Sequence, residues 1–252
     1  MNVHELAKTL KDINEGVIPE EKAKAILAQV NPVDLSLAEQ TLIKEGTKPE
    51  ELRKLCDVHL KLIQMEAEDL KQQLAPDHPL HTLYAEHDLI LGFLDKLEAA
   101  AGRLVHKDRI TTDDADLKTL REVAELLVDT EKHHAREEEA LFPVIEERGI
   151  TGPTRIMRME HDELRAKKRE LQALVKTADP IQTPDLKFRV MELATFIVSQ
   201  LREHIIKENS ILYPSAFQEL KEAGVWESIK EHSDRIGYCS FTPRGNEGKA
   251  VH

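Results

Sequence analysis

Beyond residue 78 the apolar positions recur at helical spacing in four long stretches, roughly 79 to 101, 113 to 147, 152 to 177 and 185 to 221. The segments between them, "AGRLVHKDRITTDD", "RGITGP" and "TADPIQTP", carry turn and breaker residues. Four long amphipathic helices joined by modest loops predict an up-down-up-down four-helix bundle. Before residue 75 the apolar patterns are short (Val3, Leu6, Leu10, Ile13; then Ala23, Ile26, Leu27, Val30) and are broken by Gly16, Pro19, Pro32 and Gly46. "SLAE" from Ser36 and "TKPE" from Thr47 have the form of capping boxes and mark two further helix starts. "APDHP", residues 75 to 79, reads as a linker. The expectation is an all-α protein: a small helical domain over residues 1–75, a bundle over 78–221, and a C-terminal segment over 222–252 holding one amphipathic helix and a frayed tail.

Composition supports this and narrows the partners. With ten glycines and 33% charged residues the chain is expected to be helical throughout. A formal charge of −12 without a basic run argues against nucleic acid or an anionic membrane. No apolar run approaches the roughly 20 residues of a membrane span, and "MNVHELAKTLKDINEG" lacks a signal peptide's apolar stretch. Cys56 and Cys239, far apart, give no disulfide framework and suit a reducing compartment. A cytoplasmic protein is expected.

A polar repeat runs through the four long segments. "EHD" occurs at Glu86-His87-Asp88 and again at Glu160-His161-Asp162, on the first and third helices. "HHAREEEALFP" (133–143) and "HIIKENSILYP" (204–214) share a His-x-x-x-Glu pair and a later proline on the second and fourth. Residues i and i+4 lie on one helical face, so His133 with Glu137, and His204 with Glu208, each present a ring nitrogen and a carboxylate in one direction. Counting from the loops puts His87, His133, His161 and His204 in one layer. Two carboxylates buried there without partners would be prohibitively costly, and a cation removes the cost.

The proline register selects between the adjacent histidines. His204 precedes Pro214 by ten positions, and ten before Pro143 is His133. His134, about 100° round the helix, is expected to face a neighbouring helix or solvent. His134 with Glu138 remains the one alternative His-x-x-x-Glu pair. The prolines are expected to bend their helices beyond the site. Of the run Glu137, Glu138, Glu139, only Glu137 is expected to turn inward.

These motifs resemble the hemerythrin-like, HHE cation-binding family over about residues 78 to 221. The set of four histidines and two glutamates is most similar to the branch of di-iron proteins of nitrosative stress and iron–sulfur cluster repair. The resemblance implies two non-haem irons, with His87 and His133 on one, His161 and His204 on the other, and Glu137 and Glu208 bridging. Oxygen-carrying hemerythrins have a further histidine four positions after the equivalent of His161, where this chain has Arg165. The resemblance therefore implies an open position at both irons and argues against reversible oxygen carriage. The N-terminal "LAEQTLIKEGTKPEELRKLCDVH" resembles the domain of unknown function 438 family, without the cysteine-pair motif of the repair proteins.

Zinc would favour four ligands in a closed tetrahedron, whereas six histidine and carboxylate ligands suit two ions of larger coordination number, iron first and manganese a distant second. Ferritin-like sites need Glu-x-x-His twice, and the chain has it once, at Glu131 and His134. Tyr84, one turn before His87, is a candidate hydrogen-bond or redox neighbour of the metal layer. Cys56 with His59 is a candidate thiol or half metal site that cannot close alone. His4, His78, His81, His106, His232 and His252 read as packed or exposed side chains. Two functions follow. One is di-iron redox chemistry on nitric oxide, oxygen or peroxide, or iron supply, as a possible oxidoreductase with an unidentified electron donor. The other is sensing of such ligands, signalled through the N-terminal domain to a protein partner.

Overall fold

A computed structural model describes residues 3–14, 17–19, 22, 26, 30, 69–177 and 183–243. The chain divides into two compact units, Met1–Gln72 and Gln73–His252. In the first, helix α1 (Val3–Asn14) buries Leu6, Ala7 and Leu10 along one stripe. The expected helix starts at Ser36 and Thr47, and Cys56 with His59, lie outside the described residues.

The second unit is the four-helix bundle. Its first rod is α2 (Pro79–Val105). The second is α3 (Ala115–Asp129), running on through α4 (Glu131–Ala135), a π-helical segment π1 (Arg136–Leu141) and α5 (Phe142–Glu146). The third is α6 (Gly152–Lys176), and the fourth is α7 (Thr183–Lys207) with a second π segment π2 (Glu208–Leu212) and α8 (Tyr213–Glu219). Each rod packs against its two sequence neighbours, and the fourth closes the ring on the first.

Local chemistry sets the ends. Pro79 opens α2, where its missing N–H costs nothing, and His78 Nδ1 accepts from the Leu80 amide at 3.2 Å. Asp114 caps α3 through the amides of Asp116 and Leu117. The first rod runs past residue 101 to Val105 because Ala100, Ala101 and Leu104 remain in the core. That core fills one end of the bundle with Leu94, Leu97, Leu120, Leu127, Leu171 and Ile197. At the other end the four histidines form a polar layer, lidded by Phe142 over His161 and Tyr213 over His87.

The prolines do more than bend the rods. Each π segment begins within one turn of a His-x-x-x-Glu pair, and the wider ring lets the Phe142 and Tyr213 amides reach the carbonyls of Glu137 and Glu208. In that register Pro143 and Pro214 face the carbonyls of Glu138 and Asn209 and have no N–H to give. Neighbouring rods supply the donors instead: Arg158 Nη1 to the Glu138 carbonyl and Tyr84 Oη to the Asn209 carbonyl, both at 3.0 Å. Arg158 and Tyr84 each lie three residues before an "EHD" histidine.

The expected C-terminal helix is α9 (Val225–Ile236), packed on π1 and α2. Gly237, at φ 91°, turns the chain out of it in a conformation that a Cβ would strain. Residues 238–243 then cross back over the bundle, and Phe241 meets Phe93 edge-on at 5.0 Å.

Candidate metal centre

The six residues singled out from sequence meet in one buried layer. His87, His133, His161 and His204 are at most 1% exposed, and Glu137 and Glu208 are fully buried. The rings pair as His87 with His133 and His161 with His204, each at 4.7 Å between centroids. Glu208 lies between the pairs: one carboxylate oxygen is 3.2 Å from His87 Nε2, the other 2.9 Å from His204 Nε2 and 3.5 Å from His161 Nε2. Glu137 Oε2 is 3.5 Å from His133 Nε2 and 3.6 Å from His161 Nε2. Both carboxylates thus span the two histidine pairs. Among the described residues, two groups offer ligand atoms all within 4.8 Å of one another: His87, His133, Glu137 and Glu208, and His134, His161 and His204.

A second set of polar groups aims the four rings. His133 Nδ1 lies 2.7 Å from Glu86 and His204 Nδ1 2.8 Å from Glu160, so the glutamate of each "EHD" holds the histidine of the adjacent His-x-x-x-Glu. Reciprocally, His87 Nδ1 lies 2.7 Å from Asn209 Oδ1 and His161 Nδ1 2.7 Å from Glu138. With every Nδ1 occupied, the Nε2 atoms face inward, the arrangement that fixes tautomer and direction in histidine metal sites. Glu86 is in turn held by Arg136 at 2.5 and 2.6 Å and by the Thr242 hydroxyl of the C-terminal segment. Burial would raise its pKa, but the hydrogen bond from His133 and the Arg136 charge prevail and hold it at about 2.

Between the histidines the two carboxylates are not alike. Burial first, and the neighbouring Glu208 second, push the Glu137 carboxyl well up. Glu208 is held well down against its burial, chiefly by the His204 charge. Burial alone would lower His204, yet Glu208 and Glu160 raise it to about 9, while burial depresses His133 to about 4. Even so, His133 Nε2, Glu137 Oε2 and both Glu208 oxygens lack an aligned hydrogen-bond partner. Unsatisfied buried atoms of this kind cost about 1–3 kcal/mol each. Imidazole nitrogens and carboxylate oxygens converging without partners suit a pair of divalent cations.

Several functional positions depart from the sequence reading. Glu138 is not part of a solvated face but braces His161. Of the two environments expected for His134, the structure gives the neighbouring helix: the ring is 2% exposed and stacks on His161 at 3.9 Å between centroids and 9° between planes. Tyr84 reaches the layer indirectly, through the Asn209 carbonyl and an edge-on contact with Tyr213 at 5.1 Å. Tyr213 itself was not foreseen: its hydroxyl donates to Glu137 Oε1 at 2.5 Å and its ring lies parallel to His87 at 5.5 Å. Lys168 was also missed; it is 1% exposed, bonds Thr130 at 2.6 Å and Glu131 at 3.0 Å, and burial lowers its pKa to about 8. The signals that mark Tyr213, Glu86 and Glu160 were present in the repeat, as the Phe/Tyr alternation before proline and the glutamate of "EHD". Nothing in the spacing marks Lys168. Cys239, buried against the bundle 3.9 Å from Arg136, is pushed up to about 12 by burial and is no thiolate.

Comparison with known proteins places this geometry. A family model described as hemerythrin HHE cation binding domain matches residues 78–216, and a family of unknown function, DUF438, matches residues 6–69. An iron-sulfur cluster repair protein YtfE of Salmonella schwarzengrund is 31% identical over 128 residues, 48% of this chain and 55% of that protein. A probable iron-sulfur cluster repair protein of Haemophilus influenzae is 29% identical over 121 residues, 46% of this chain and 52% of that protein. The aligned region thus spans about half the length of these curated relatives. Among the described residues no helix is long and apolar enough to cross a membrane.

Proposed function

The chain belongs to the hemerythrin HHE cation-binding family, and from that premise we propose that it holds two iron ions and uses them to bind and reduce nitric oxide, oxygen or peroxide, or to supply iron, in defence against nitrosative or oxidative stress. The observation that carries the reading is the buried layer of four aimed histidines and two spanning carboxylates with unsatisfied atoms at its centre. His87 and His133 would hold one ion and His161 and His204 the other, with Glu137 and Glu208 between them. Iron held there would supply one-electron redox chemistry and a place to bind a small ligand. Around it, Phe142 and Tyr213 exclude water, Glu86, Glu138, Glu160 and Asn209 fix the rings, and the Tyr213 hydroxyl keeps a proton at Glu137 Oε1. Repair of iron–sulfur clusters, named in the relatives, is the role that suits this chemistry, in the cytoplasm and with a separate electron donor.

The test is metal analysis of anaerobically purified protein, followed by nitric oxide, oxygen or peroxide consumption by the reduced form. About two irons per chain and repeated turnover are expected. Fewer than two metals of any kind per chain would overturn the reading; two irons with stoichiometric binding and no turnover would replace catalysis by sensing.

A further inference from the structure

The two halves of the site come from a repeat, yet among the matched positions that differ, three place their side chains on or beside the histidines. His134 in the second rod matches Ile205 in the fourth; Glu138 matches Asn209; Phe142 matches Tyr213. The structure places His134, Glu138 and Phe142 around His161, and Asn209 and Tyr213 around His87. One half is enriched in imidazole and roofed by an apolar ring. The other has no third histidine and is roofed by a hydroxyl.

We propose that His134 supplies a third imidazole to the ion held by His161 and His204, leaving the open position for an external small ligand at the His87 and His133 half. This rests on the two-metal reading above and replaces the two equal vacancies that the sequence implied. Four observations support it. His134 is 2% exposed, so its ring faces protein and site rather than solvent. One of its ring nitrogens lies within 4.8 Å of ligand atoms from both His161 and His204. Its Nδ1 has no hydrogen-bond partner, and the nearest carboxylate oxygen, on Glu131, is 3.7 Å away; the other four histidines each have such a partner at 2.7–2.8 Å. A small rotation would give His134 the same support, and Glu131 is already anchored by Arg165 and Lys168. Finally, Arg165, standing where a fifth histidine was missed, bonds both Glu131 and Glu138. It braces the carboxylates beside His134 and His161, so the third rod supports the imidazole that the second rod contributes.

The experiment uses the full chain loaded with iron-57 under anaerobic conditions, read by Mössbauer spectroscopy and by titration with nitric oxide. For the wild type, two distinct quadrupole doublets of equal area and saturation near one equivalent per iron pair are expected. His134→Ala should raise uptake toward two equivalents or lose one of the two irons, and His134→Gln, closer in size, guards against a folding defect. A single doublet in the wild type, saturation at two equivalents, or His134 variants with unchanged doublets and stoichiometry would overturn the proposal while leaving the di-iron reading intact. A wild type that binds no pair of irons removes both together.

Discussion

Glu137 and Glu208 are equivalent in the repeat, but the structure makes them unequal in the metal-free chain. Glu208 is the ionised member, paired with a His204 whose pKa is raised to about 9; Glu137 holds its proton. Glu137→Gln therefore replaces a neutral acid by a neutral amide of the same shape, and the amide oxygen still accepts from Tyr213. Its effect on metal-free stability should stay within about 1 kcal/mol. Glu208→Gln strips the partner from a buried imidazolium. The least the protein can then do is deprotonate His204 at pH 7, two pKa units against its preference, for about 3 kcal/mol, at the low end of the ~3–5 kcal/mol for breaking a buried pair. Urea unfolding at pH 7 in chelator, followed by the fluorescence of Trp226 and by far-ultraviolet circular dichroism, measures both. A pH series adds a sign. Glu137 has a folded pKa above its unfolded value, so the folded chain binds more protons and loses stability as pH rises above about 4.5; Glu137→Gln removes that fall. Equal losses from the two variants, or a larger one from Glu137→Gln, would refute the charge assignment. With metal bound, both variants should lose most of the added stability.

Three further outcomes are expected. Glu86→Gln and Glu160→Gln, which loosen His133 and His204 without touching metal, should each lower metal affinity about 10–100-fold in competition with a chelator, with circular dichroism unchanged. Lys168 has a folded pKa of about 8 against 10.5 unfolded, so the unfolded chain binds more protons between these values and wild-type stability should gain up to about 3 kcal/mol across that window relative to Lys168→Met, read as the difference between their unfolding curves. Tyr213→Phe leaves Glu137 Oε1 without its donor and should cost about 1–2 kcal/mol in metal-free unfolding, whereas Phe142→Leu, which removes no polar contact, should show no change in its pH dependence.

The buried histidine and glutamate layer was legible because a helix converts spacing into direction. His133 with Glu137 and His204 with Glu208 are fixed by the i, i+4 rule, and loop lengths fix their height against His87 and His161. The bundle followed from the same periodicity, since each rod must bury an apolar stripe. What spacing does not carry is the partner of a side chain that reaches between rods. Glu138 is adjacent to Glu137 and looks like part of an exposed acidic run, yet in the π turn it lies against His161. For His134 the 100° step leaves two alternatives, a neighbouring helix or solvent, and spacing alone does not choose; the second and third rods pack closely enough to bury it against His161.

The proline is where sequence and structure connect most directly. Read locally, it disturbs a helix. In the folded bundle it removes the N–H that would have returned to the Glu138 or Asn209 carbonyl, and the same residue's side chain holds an "EHD" histidine. Each freed carbonyl is bonded from the "EHD" rod itself, by Tyr84 on the first and Arg158 on the third. One residue of each π turn therefore ties its rod to its partner twice, by backbone and by side chain. That double tie requires the proline, the π register and the residue three before the "EHD" histidine together, so restoring an N–H at position 214 would put the backbone in competition with Tyr84 for one acceptor. The aim of His87 would loosen with it, although no histidine or glutamate of the layer had been changed.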